Sequence, residues 1–264
     1  VTSELTARAI AERPTGRSAV VLSEVSKVFG RGSDAVHALD KVSLTVREGE
    51  FVCLVGASGC GKSTLLNLVA GLDQTSGGSI TVEGGGTPAL MFQEPALFPW
   101  LSVAGNVGLP LRLAGVSSVE RKARVAELLQ VVHLDDFAKR QPHELSGGMR
   151  QRVALARTLG LQSPVLLMDE PFGALDAMTR DILHDELERI WAERKLTVLF
   201  VTHNVREAAR LGDRIVLMSS RPGRVAWERP VEVPRPRRID SPEIAAIAAE
   251  VTGKLRSEVR RHGR

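Results

Sequence analysis

The nine residues GASGCGKST, Gly56 to Thr64, leave few folds open to this 264-residue chain. They match the spacing G-x-x-x-x-G-K-[ST], with Gly56, Gly61, Lys62 and Ser63 in the fixed places. The match carries meaning only between a strand and a helix, and both flanks comply. FVCLVG (Phe51 to Gly56) is apolar without polar alternation, as a strand covered on both faces must be. STLLNLVAGL, starting at Ser63, has helical periodicity. In that setting the loop of Gly56, Ala57, Ser58, Gly59, Cys60 and Gly61 aims backbone N–H groups at phosphate oxygens, and Ser63 and Thr64 open the helix whose positive end helps. Lys62 reaches the β and γ phosphates, and the Ser63 hydroxyl binds Mg²⁺. The expected ligand is a nucleoside triphosphate.

The flanking sequence reads as an α/β fold built on this loop. AVVLSEVSKVF (Ala19 to Phe29) and LDKVSLTVREGE (Leu39 to Glu50) read as strands of an antiparallel β subdomain. PVLLMDE (Pro164 to Glu170), TVLFVTH (Thr197 to His203) and RIVLMSS (Arg214 to Ser219) alternate with helical segments, which argues for a largely parallel sheet flanked by helices. Between about 104 and 145 the pattern turns helical, so a helical insertion interrupts the core. There Ser118 and the run Arg121 to Glu127 suit a capped, charged amphipathic helix. RPGR closes the domain, and Ser241 to Val259 reads as a terminal helix. The expected division is an extension over 1–18, the nucleotide-binding domain over 19–220 and a basic extension over 221–264.

VLLMDEP supplies the second half of the chemistry. An apolar strand delivers Asp169 to its end, where a carboxylate holds the magnesium shell, and Glu170 follows one residue on to accept a proton from the attacking water.

Composition bounds the setting. A hydrophobic content of 43% can fill a sizeable core, and no apolar run approaches the roughly 18 to 20 residues that cross a bilayer. The first twenty-odd residues lack the apolar block of a signal peptide, and Cys53 and Cys60 suit a reducing compartment, so the expected location is cytoplasmic. Net charge is +4, but from Arg221 onward eleven Lys and Arg face six Asp and Glu. Such a tail could meet nucleic acid, acidic lipid or an acidic partner; a solvated Pro/Arg-rich extension ending in a surface helix is the preferred reading.

A second glycine-bearing turn, LSGGMRQR (Leu145 to Arg152), opens onto another helix and has no evident anion of its own to bind. Together with the phosphate loop it makes Val21 to Ser219 resemble the nucleotide-binding subunits of ATP-binding cassette (ABC) transporters. The resemblance implies that Ser146, Gly147 and Gly148 serve the ATP of a second subunit packed head to tail, with ATP as the glue between them. It also implies that Phe29 stacks on adenine and that Gln93 senses Mg²⁺ and the γ-phosphate. Asp176 would lie on the loop that crosses to the opposite subunit, and His203 would be the switch histidine at the γ-phosphate. Tyr is usual in place of Phe29, and Asn204 replaces a more usual Asp.

QEPALFPWLSVAGNVGLPL (Gln93 to Leu111) is similar to the ATPases of nitrate, sulfonate, taurine or bicarbonate importers, although the lead-in EGGGTPALMF departs from their pattern. That likeness implies integral membrane permease subunits docking near Trp100, a second cassette copy or sister subunit, an extracytoplasmic solute-binding protein, and a peripheral place on the cytoplasmic face of the membrane. No nucleic-acid partner is expected. Two other assignments remain compatible with the cassette: a soluble ATPase acting on ribosomes or nucleic acid through its basic tail, and the ATPase of an exporter.

Overall fold

The computed structural model describes residues 16–84 and 86–262. The extension expected over 1–18 therefore lies outside the described residues as far as residue 15. Two twelve-residue strands, β1 (Ser18–Phe29) and β2 (Val36–Arg47), pair antiparallel, and β4 (Gly77–Val82) pairs antiparallel on the other side of β1. Val20 and Leu22 point inward, and an irregularity at Glu24 (φ 50°) shifts the phase so that Val25 does too, with Leu44 and Val46 on the same side and Glu24 and Lys41 outside.

The main sheet has six strands in the order β5-β6-β7-β3-β8-β9. β5 (Ala89–Met91), β6 (Val165–Asp169), β7 (Thr197–Val201), β3 (Phe51–Val55) and β8 (Arg214–Met218) run parallel. β3, β6 and β7 are buried at every position, which accounts for their lack of polar alternation. Phe51, Cys53 and Val55 face one apolar layer, and Val52 and Leu54 face another shared with β1 and β2. The loop after β3 thus leaves the sheet at its C-terminal edge with both faces of its strand fixed.

Helix α1 (Lys62–Val69) follows that loop, with Gly61 at its N-cap in the left-handed region (φ 99°). A Cβ at Gly61 would stand 2.7 Å from Leu39 Cδ2 and 2.9 Å from the Ala38 carbonyl oxygen, so only glycine fits. The helical insertion comprises α2 (Val103–Leu113) and α3 (Ser118–Val131), which pack with α4 (Gly147–Leu159). The cap of α3 is Ser117, not Ser118: its hydroxyl accepts from the Glu120 N–H at 3.3 Å, and Ser118 is the first helical residue. Helix α5 (Ala177–Arg194) joins β6 to β7, and α6 (Val205–Leu211) joins β7 to β8.

Beyond Ser220 the chain departs from the solvated tail read from sequence. β9 (Val225–Pro230) pairs antiparallel with β8 as the sheet's edge strand, and α7 (Pro242–His262) packs on α6. Between them the side chains of Arg235 and Arg237 are buried. Arg235 pairs with Glu188 at 2.9 Å and Asp213 at 2.8 Å and lies 4.4 Å over the Trp191 ring. Arg237 donates to the carbonyls of Val231, Val233, Arg210 and Gly212 at 2.6 to 3.2 Å. The two guanidiniums satisfy carbonyls at the end of α6 that would otherwise be orphaned. Among the described residues no helix is long and apolar enough to cross a membrane.

Candidate active site

The phosphate loop, the strand-end acids and two distant polar residues meet at the C-terminal edge of the main sheet. A cleft of about 270 Å³ is lined by Phe29, Ser58, Gly59, Gly61, Lys62, Ser63, Thr64, Gln93, Glu170 and Arg221, with Val36 and Ala38. Lys62 folds back over its loop, and its ammonium donates to the carbonyls of Gly56 and Ala57 at 2.9 Å each. Gly56 tolerates no side chain, since a Cβ there would sit 2.8 Å from Cys60 Sγ and 3.1 Å from the Met218 carbonyl.

Register sets the acids beside the loop. Asp169 ends β6 opposite Val201, and the Glu170 N–H extends the ladder to the Val201 carbonyl at 2.9 Å. One strand over, the Thr202 N–H bonds the Leu54 carbonyl, two residues before Gly56. Glu170 adopts φ 46°, a left-handed conformation costing a non-glycine residue about 1 kcal/mol and concentrated at functional sites. Asp169 is buried and shares a hydrogen bond with the Ser63 hydroxyl. Burial holds its carboxyl above the usual carboxylate range, the neighbouring Glu170 adds to the rise, and Ser63 and Lys62 oppose it.

Three sequence-predicted residues converge on one oxygen. Glu170 Oε2 accepts from His203 Nδ1 at 2.9 Å and from Gln93 Nε2 at 3.4 Å. β5 brings Gln93 alongside because Met91 pairs with Met168. Gln93 is tied in turn to α4, the helix opened by the second glycine-bearing turn (the signature turn), whose buried Gln151 donates to the Gln93 carbonyl at 3.3 Å. Phe29 is 44% exposed at the cleft, 4.9 Å from the Lys27 ammonium, so its face is presented and not packed in the core.

Ser146, Gly147 and Gly148 stand apart from this cleft. Ser146 and Gly147 are exposed, and the Ser146 hydroxyl caps α4 through the Met149 N–H at 3.2 Å. Gly148 abuts the loop bearing Asp176, for a Cβ there would be 3.1 Å from Leu175 Cδ2. Asp176 caps α5 through the Thr179 N–H at 3.0 Å, and that backbone bond holds its carboxyl below the usual range. The signature turn and the Asp176 loop therefore share one exposed face.

Trp100 is 72% exposed and not packed within the helical insertion. Its loop is held from beneath: buried Asn106 donates to the carbonyls of Phe98, Leu101 and Ser102 at 3.0 to 3.1 Å and accepts from the Phe98 N–H at 2.8 Å. Arg157 adds bonds to the Pro95 and Ala96 carbonyls.

Sequence reasoning missed Arg221, which reaches the Gly59 carbonyl at 3.3 Å from the turn after β8. The rule that ligands gather at the carboxyl ends of parallel strands would have flagged it.

For magnesium, the Ser63 hydroxyl and the Gln93 side chain are oxygen donors in the cleft wall, and the buried Asp169 carboxylate stands behind Ser63, hydrogen-bonded to it. A hard cation that keeps waters and shares phosphate oxygens needs no more from the protein. The set fits the ion.

Comparison with known proteins gives the same picture. Residues 39–173 match the family model described as ABC transporter. The taurine import ATP-binding protein TauB of Rhizobium johnstonii is 47% identical over 239 residues, covering 88% of this chain and 90% of that protein. The nitrate import ATP-binding protein NrtD of a Synechocystis species is 44% identical over 219 residues, covering 81% of this chain and 82% of that protein. Among solved structures, the dimeric post-hydrolysis state of the ATP-binding cassette MJ0796 bound to ADP and Pi superposes with a TM-score of 0.75 at 34% identity, covering 81% of this chain and 99% of that one.

Proposed function

Because the chain belongs to the ABC transporter family, as an ATP-binding and ATP-hydrolysing subunit, we propose that it energises an importer for a small anionic solute of the nitrate or sulfonate kind. The observation that carries the mechanism is the convergence of His203 and Gln93 on Glu170 Oε2 beside the phosphate loop.

Glu170 accepts the proton of the attacking water, and its two neighbours fix the carboxylate's direction. Lys62 exchanges the Gly56 and Ala57 carbonyls for the β and γ phosphates, and Phe29 offers its exposed face to adenine. Ser63, Asp169 and Gln93 would hold Mg²⁺, which when bound would supply charge neutralisation on the phosphates.

Ser146, Gly147 and Gly148 lie outside their own cleft on an exposed face with Asp176, which favours a head-to-tail dimer in which they meet the partner's γ-phosphate. ATP then bridges two subunits, and hydrolysis removes the bridge. The subunit sits on the cytoplasmic face beneath permease subunits, with Trp100 as the amphipathic anchor for them. The solutes in the relatives' names, nitrate and taurine with its sulfonate group, support a small solute bearing an oxyanion group.

Affinity purification of the tagged chain from gently solubilised membranes, with mass spectrometry of its companions, tests this reading. A stoichiometric polytopic partner is expected, and ribosomal or nucleic-acid-bound companions without one would overturn the transport role.

A further inference from the structure

Behind the Glu170–His203 pair lies a polar chain of Thr202, Glu207, His184 and Arg210, none of which lines the nucleotide cleft. Glu207, on α6, is buried, and one of its carboxylate oxygens accepts from the Thr202 hydroxyl. The other meets His184 Nε2 at 2.7 Å, with His184 fully buried on α5. The opposite ring nitrogen, His184 Nδ1, lies 2.9 Å from Arg210 Nη1. A guanidinium has no acceptor, so Nδ1 must accept, Nε2 must carry the hydrogen, and Glu207 must accept it. Glu207 is thus required to accept twice, from Thr202 and from His184. Only a carboxylate does so; an amide in its place would turn an NH₂ toward one of two donors.

This chain touches the hydrolytic pair from both sides. The Thr202 hydroxyl also accepts from the Asn204 N–H at 2.9 Å, so the backbone on either side of His203 is pinned by one side chain. Asn204 in turn caps α6 through the Arg206 and Glu207 N–H groups. On the other side, Phe172, two residues after Glu170, sets its ring edge-on to the His184 imidazole at 4.9 Å. A small cavity of about 40 Å³, large enough for one water, is lined by Glu170, His203, Thr202 and Glu207 together.

We infer that Glu207 and His184 are positioning residues for hydrolysis, holding His203 against Glu170 through the Thr202 hydroxyl. The inference rests on the assignment of Glu170 and His203 as the hydrolytic pair. Because His184 lies on the helix capped by Asp176, the same chain ties the setting of the pair to the helix that begins at the proposed subunit interface.

The test is steady-state ATP hydrolysis by the purified full chain, normalised to nucleotide-binding stoichiometry so that misfolded protein drops out. Thr202→Val keeps the shape and removes the hydroxyl, and Glu207→Gln keeps the shape and breaks the double acceptor. Both are expected to lower kcat at least tenfold with KM for ATP within twofold, and Thr202→Ser is expected to restore kcat to within threefold of the parent. A merely structural role would lower stability or binding-competent protein without this kcat-against-KM split. Glu170→Gln is run alongside. If it is inactive while Thr202→Val keeps full kcat, the positioning inference is wrong and the base assignment survives. If Glu170→Gln hydrolyses normally, the assignment itself falls and takes the inference with it.

Discussion

Asp169 shows what a single residue gives up to serve a site. Its charge is held in a buried place beside Glu170, which Ser63 and Lys62 only partly offset, so the folded chain binds its proton more tightly than the unfolded chain does. A raised folded titration means that stability present below the unfolded value, about 3.9, is lost as pH rises through the folded one. Asp169→Asn, which keeps an oxygen for Ser63, is therefore expected to raise Tm at pH 7 in magnesium-free buffer while abolishing magnesium-dependent hydrolysis. Thermal melts at several pH values check this: the gap should close as pH falls into the range where both forms are neutral. Asp169 and Glu170 could be read from the chain because strand, acid and loop are contiguous, and each explains its neighbour. The meeting of Gln93, Glu170 and His203 could not be derived that way, since they are separated by 77 and 33 positions. Only the resemblance to a family placed them together. Arg221 could be flagged only by its place after a parallel strand, and Glu207 carried no local signature at all.

At the scale of elements, the sequence misled where polar residues are used as core material. The stretch VPRPRRID reads as solvated, yet Arg235 and Arg237 bind it beneath α5 and α6 through backbone carbonyls and two carboxylates. Burial pushes the Arg237 guanidinium down to about 10, with Arg235 adding repulsion, and it stays charged at neutral pH. Arg237→Ala strands three buried carbonyls and one half-buried one, and the expected loss is about 2–4 kcal/mol of unfolding free energy, read from the shift in urea midpoint. An unchanged midpoint would show the strap to be ornamental. β4 was missed for a related reason. Its opening Gly77-Gly78 looks like a turn, but Gly78 (φ 77°) passes so close to β1 that a Cβ would stand 2.3 Å from the Glu24 carbonyl. Fully buried β3, β6 and β7, by contrast, announce themselves as unbroken apolar runs.

For the whole molecule, the fold places two anion-binding turns on different faces. The phosphate loop closes over its own cleft, while the signature turn sits exposed beside the Asp176 loop and is tied inward to Gln93 through Gln151. In the proposed dimer a second subunit turned head to tail completes each site, so that the hydrolytic state of one nucleotide would be felt by both chains. The direct test of that account is the solution mass of Glu170→Gln by light scattering after gel filtration, with saturating ATP and magnesium. The account predicts a dimer in ATP and a monomer in ADP. It further predicts that adding Ser146→Glu, which sets a carboxylate against the partner's γ-phosphate, returns the protein to monomer while each chain still binds ATP. A Glu170→Gln protein that stays monomeric in ATP, or a dimer indifferent to Ser146→Glu, would contradict it.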